Sequence, residues 1–122
     1  MVQVTPITAP QNPDTTGREI IVDGTVALSG SYTVHGDTLN LQQFQDLAKS
    51  SQLPTKVEVW EDPAAGTSPT FAQFVFCPGT TQLNGLLAIA AAGGTELTAE
   101  TYASAFPGGL PTLRIRAWFP AY

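Results

Sequence analysis

Histidine, cysteine and methionine each occur once in this sequence of 122 residues. A single cysteine, Cys77, leaves no partner for an internal disulfide. With His35 as the one histidine, the chain has no four-ligand Cys/His zinc site of its own. Charge is scarce too, at 12% of residues, about half the usual share. Five Lys and Arg stand against ten Asp and Glu, giving a net charge of −5, and only Arg114 and Arg116 lie close together. Nucleic acid and anionic membrane surfaces select clustered basic residues, so both are excluded as partners. No apolar run approaches the roughly 20 residues needed to span a bilayer, and Met1 to Pro13 lacks the basic-then-apolar layout of a signal peptide.

What is present is apolar residue and turn residue. The chain is 43% hydrophobic with 11 glycines and 10 prolines, too apolar for a disordered chain and of a length that suits one domain. Residues 1–17, MVQVTPITAPQNPDTTG, carry prolines at positions 6, 10 and 13. That density predicts an extended arm outside the sheet, since proline donates no ladder hydrogen bond. From residue 18 to 122 the pattern is that of a folded domain. Ile20, Val22, Val26 and Leu28 recur with period two, predicting a half-buried strand with a bulge near Asp23-Gly24.

Residues 31–34 and 38–41 flank His35-Gly36-Asp37 and predict a hairpin. Leu41, Phe44, Leu47 and Ala48 are spaced for a short helix. Alternation returns at 56–61, where Val57 and Val59 face one way and Glu58 and Trp60 the other. In Thr70–Cys77 both faces are apolar, which predicts a strand covered on both sides; Leu83–Ala91 fits either a buried strand or a helical turn. Thr98 offers a weak helix cap before Tyr102, and Leu113–Phe119 alternates as a closing strand. Six to eight short strands and one short helix predict a mainly β fold, an antiparallel β-sandwich or jelly-roll-like domain with an extended N-terminal arm.

Catalysis finds no footing in the motifs. His35 sits in a turn beside Gly36 with no G-x-S-x-G elbow to present a nucleophile. Glu58 and Glu61 point to opposite faces of one strand and cannot converge as a glycosidase pair. Asp23 and Asp37 stand next to glycines in turns; no EF-hand, P-loop or G-x-G-x-x-G occurs. Cys77 reads as a small hydrophobe at a strand end. The residues predict no enzyme, no cofactor and no metal site. Trp60, Trp118 and Tyr122 read as core or subunit contacts, with an aromatic platform for sugars as the alternative.

The run from Val26 to Leu41, VALSGSYTVHGDTLNL, resembles small virion proteins of tailed bacteriophages, departing from their pattern at His35, where glycine is usual, and at Asn40, where aspartate is. The order that follows is similar as well: a strand after Leu53-Pro54, an aromatic strand ending at Pro78-Gly79, an alanine-rich stretch from Leu86 to Ala92, and a closing strand from Leu113 to Phe119. The resemblance covers residues 19–119. It implies a non-enzymatic decoration or cement protein on the outer capsid surface, bound to the major capsid protein and to copies of itself, with a trimer favoured. The contact residues expected on this reading are Val2, Val4, Pro6, Ile7, Pro10 and Pro13 of the arm, with Trp60, Trp118 and Tyr122 between subunits. A neck, tail or fibre part of the virion, or a carbohydrate-binding β-sandwich module, stands as the alternative.

Overall fold

The structure is a computed structural model, and it describes residues 2–6, 19–63 and 69–120. Its strands are β1 (Val2–Pro6), β2 (Glu19–Leu28), β3 (Asp37–Leu39), β4 (Lys56–Glu61), β5 (Gln73–Cys77), β6 (Gly85–Ala90) and β7 (Leu113–Pro120), with helices α1 (Gln42–Ala48) and α2 (Tyr102–Ala105). The chain is mainly β, as its alternation predicts. One seven-stranded sheet in the order β4-β7-β2-β1-β3-β6-β5 curls nearly into a barrel. It is mixed, because β1 runs parallel to β3 while the other pairings are antiparallel.

The barrel interior follows from the register. Along β2, Val22, Gly24, Val26 and Leu28 point inward, and their partners across β7 and β1 are Ala117, Ile115, Leu113 and Val2. Gly24 stays in phase with its neighbours, so the ladder is unbroken and the bulge expected near Asp23-Gly24 is absent. Leu39, Leu87, Ile89 and Phe119 complete a lining of fully buried side chains. Each such apolar side chain stabilises the fold by about 1.5–3 kcal/mol relative to exposure.

Three further expectations are corrected. Residues 2–6 are no outlying arm: β1 is the middle strand of the sheet, with Val2 and Val4 buried. The prolines permit this because β1 holds only Pro6, at its last position, while Pro10 and Pro13 lie beyond it. Residues 31–34 form no hairpin with 38–41. Instead β3 pairs with β1 and β6, and Tyr32 turns inward because its backbone N–H donates to the Glu100 carbonyl at 2.9 Å. Strand β5 is an edge strand with one face open, and Val75 is 58% exposed.

Helix α1 falls within the predicted span. Asn40 Oδ1 accepts from the Gln42 N–H at 2.9 Å at its start, and Lys49 ends it in the left-handed conformation. Seven residues are too few to be stable alone. The helix is held by burying Phe44 and Ala48 against β1 and β2. The second helix, α2, is a single turn capped by Thr101, not Thr98: Thr101 Oγ1 accepts from the Ser104 N–H at 3.2 Å.

Candidate functional site

Among the described residues the sheet has two unpaired edges, β4 and β5, and they face each other across the remaining gap in the barrel. Between them lies a cleft of about 400 Å3 lined by residues 57–60 and 74–76, all apolar but Glu58. Apolar side chains at an unpaired edge are what natural sheets ordinarily guard against. Here they are exposed: Val75 at 58%, Trp60 at 39%, and Phe71, two residues before β5, at 73%.

Phe71 is held in an unusual backbone state. Its φ is +57°, a value that costs a bulky residue roughly 1–2 kcal/mol. The preceding residue shows what keeps it there. Glu61, the last residue of β4, accepts from the Thr70 N–H at 2.9 and 3.1 Å and from the Thr70 hydroxyl at 2.7 Å. The Ala72 N–H then donates to Thr70 Oγ1 at 3.3 Å. One carboxylate therefore ties the entry of β5 to the end of β4. A second depression of about 790 Å3, lined in part by Glu61, Thr70, Ala72, Phe106 and Leu110, adjoins the cleft at this clamp.

On the outer face of β2, β7 and β4 the register builds three rungs: Ile21–Trp118–Lys56, Asp23–Arg116–Glu58 and Thr25–Arg114–Trp60. The Lys56 ammonium lies 4.9 Å from the Trp118 ring centre, a cation–π contact that covers that ring. Arg116 donates twice to Asp23, at 2.5 and 3.1 Å, and that carboxylate raises the guanidinium pKa above its ordinary value. The two tryptophans thus share one face but stand two rungs apart, with an ion-paired rung between them.

A polar cluster gathers elsewhere, where β3 meets the segment around α2. The rings of Tyr32 and Tyr102, both buried, meet edge to face at 6.3 Å. Tyr32 donates to Glu96 at 2.7 Å and Tyr102 to Asp37 at 2.7 Å. Glu96 also accepts from the His35 backbone N–H at 2.7 Å, which fixes the turn where His35 takes φ +75°. Burial first, and the Glu96 hydrogen bond second, push the Tyr32 hydroxyl up to about 12. Tyr102 is raised further by burial and by Asp37. The Tyr32 hydroxyl and the His35 N–H hold the Glu96 carboxyl below its usual range.

A pH dependence follows. The unfolded chain ionises its tyrosines near pH 10, so the stability these two hydroxyls contribute is complete below pH 10 and is lost as the pH rises, for Tyr32 through about 12 and for Tyr102 higher still. In an alkaline titration, phenolate absorbance from Tyr32 and Tyr102 should rise only together with loss of the far-ultraviolet circular dichroism. A phenolate signal from both well before unfolding would contradict the buried hydrogen bonds.

Of the residues singled out in the sequence, Trp60 lies exposed on the β4 edge and Trp118 half-buried under Lys56. Val2 and Val4 face the chain's own core and Pro6 ends β1. Ile7, Pro10, Pro13 and Tyr122 lie outside the described residues. Phe71 and Val75 are additions the structure makes. Alternation places them on one face of a strand, but nothing local says which face stays open. Among the described residues no cluster of His, Cys, Asp and Glu has the makings of a metal site, and no helix is long and apolar enough to cross a membrane. Comparison with protein-family models, curated proteins and solved structures finds no match to this chain.

Proposed function

We propose that this protein is a non-enzymatic structural component of a bacteriophage virion, a decoration protein that binds the outer capsid surface and stabilises the shell. The observation that carries the reading is the exposure of Trp60 and Val75 on the open β4 and β5 edges, with exposed Phe71 two residues before β5. Exposed aromatics beside an apolar cleft are the anchors of protein–protein contacts, and the Glu61 clamp on Thr70 sets the backbone that carries Phe71 before any partner arrives. The resemblance of residues 19–119 to small virion proteins supplies the kind of partner: the major capsid protein, and further copies of this chain in a closed trimer. A net charge of −5 suits basic patches on a shell and disfavours contact with packaged DNA.

Such a protein works by adding binding free energy across the seams between capsid subunits. A modest contact repeated over a whole shell resists internal pressure because many contacts must fail together. A sugar-binding platform is less well served, since Lys56 occupies a face of Trp118 and Trp60 stands two rungs away from it.

Quantitative mass spectrometry of purified particles tests the proposal. A ratio of this chain to the major shell protein of about one to one, or about one to three with only some symmetric sites filled, is the expected result. A few copies per particle would assign the chain to a neck, tail or fibre, and absence from particles would overturn the virion reading.

A further inference from the structure

Strand β1 occupies an unusual place for the first strand of a chain. It lies in the middle of the sheet, with three strands on one side and three on the other. Its ladder with β2 is continuous from Val2↔Leu28 to Pro6↔Gly24, whereas it meets β3 only at Val2↔Leu39. It carries no charged side chain, and its two inward residues, Val2 and Val4, are both buried. The slot it fills is therefore shaped by β2, β3 and α1, and is completed by insertion of β1.

The link from β1 to β2 is much longer than that geometry needs. Pro6 pairs with Gly24, so the start of β2 at Glu19 lies five residues down the strand, about 17 Å at 3.4 Å per residue. Residues 7–18 make a twelve-residue connection with a maximal reach of roughly 40 Å. A hairpin of adjacent antiparallel strands is ordinarily closed by two to five residues. A connection with this reach allows the same strand to enter the identical slot of a neighbouring copy.

We infer that β1 is an exchangeable strand: where copies of this chain are held side by side, Val2–Pro6 of one copy completes the sheet of the next. Every contact of β1 is preserved in the exchange, since the slot is the same in each copy, so the choice between the two forms is a matter of concentration. A covalent tether of twelve residues keeps its own strand at an effective concentration on the order of mM. Dilute chains therefore keep β1 to themselves, and closely packed chains pass it on. The inference needs only a dense array of copies and is tested on the isolated protein, so it stands or falls apart from the capsid reading.

The test uses two single variants, Gln3→Cys and Ala27→Cys, each in a Cys77→Ser background. Gln3 and Ala27 are register partners and both exposed, and paired strand positions lie within disulfide reach. The two variants are unfolded together, refolded as a mixture at a series of concentrations, oxidised and run on a non-reducing gel. In an equimolar mixture, where half of the exchanged pairs bring the two cysteines together, the covalent heterodimer is expected to rise from about one chain in two hundred at about 10 μM to about a quarter at about 1 mM. A mixture of Gln3→Cys with Ala103→Cys, which lies outside the slot, gives the collisional background. The double variant Gln3→Cys/Ala27→Cys at low concentration should close within one chain, which shows that the cysteines fold into register. A heterodimer no more abundant than background at every concentration, while the double variant closes, would overturn the exchange. If either position impairs folding, Thr5→Cys with Thr25→Cys reads the same ladder.

Discussion

Replacing Gly24 with valine should cost the fold about 3 kcal/mol, the upper end of what overpacking usually exacts. Gly24 is a buried position of β2, flanked by Pro6 on β1 and Ile115 on β7. A Cβ there would sit 2.5 Å from the Thr5 carbonyl oxygen and closer still to the end of the Phe44 ring. The ring has room to move only by leaving the core that holds α1 in place. The carbonyl belongs to the backbone of β1 and has no rotamer to change. Trimming the ring with Phe44→Leu should therefore rescue Gly24→Val only in part. Urea unfolding reads this directly, as a midpoint lowered by about 1–3 M at an unchanged slope. Gly108, where an added Cβ meets nothing within 4 Å, serves as the control and should tolerate alanine. A Gly24→Val protein as stable as the parent would mean that β1 and α1 do not pack as described.

The second large effect separates binding from stability. Phe71→Gly should strengthen the fold by about 1 kcal/mol while weakening attachment to the partner by about 2 kcal/mol, roughly thirtyfold in Kd. Glycine adopts the positive φ of this position without the Cβ penalty that phenylalanine carries. The same change removes the most exposed aromatic beside the β5 edge. Trp60→Ala should weaken attachment by a similar factor with little change in stability, because the indole is only partly covered. Thermal unfolding gives the first readout and, on the proposed capsid reading, sedimentation with capsids lacking this chain gives the second. Stability and attachment falling together for Phe71→Gly would show that Phe71 packs within the protein and anchors nothing outside it.

Much of the barrel is legible along the chain. In β2, β4 and β7 a period of two marks the buried face, though Ile21, Trp60 and Trp118 are apolar on the outer one, and Val57 and Val59 fall opposite Ala117 and Ile115 as that period requires. The helix is legible in the spacing of Phe44 and Ala48. What the sequence hides is pairing at a distance. Tyr32 and Val34 alternate like strand residues, yet Tyr32 is buried by partners sixty or more residues away, Glu96 and Glu100, and Val34 stays exposed. Only three residues of the apparent hairpin, Asp37–Leu39, enter the sheet. The contact surface is hidden for a related reason. Val75 and Cys77 lie on one face of β5, with Phe71 just before it, and nothing along the chain says whether another layer covers that face. Trp60 shows itself by type alone.

The joining of β2 to β7 bears on how the chain folds as it is made. Glu19 pairs with Pro120 and Val26 with Leu113, so the second strand waits for the last one. During synthesis β1, β2 and β3 can pair with one another, but the ladder between β2 and β4 stays open until β7 has been made. Pairings so distant in sequence place folding in the millisecond-to-second range typical of non-local β topologies. Throughout that interval the apolar strands are open to any neighbour, and chains emerging together from one messenger RNA meet in that state.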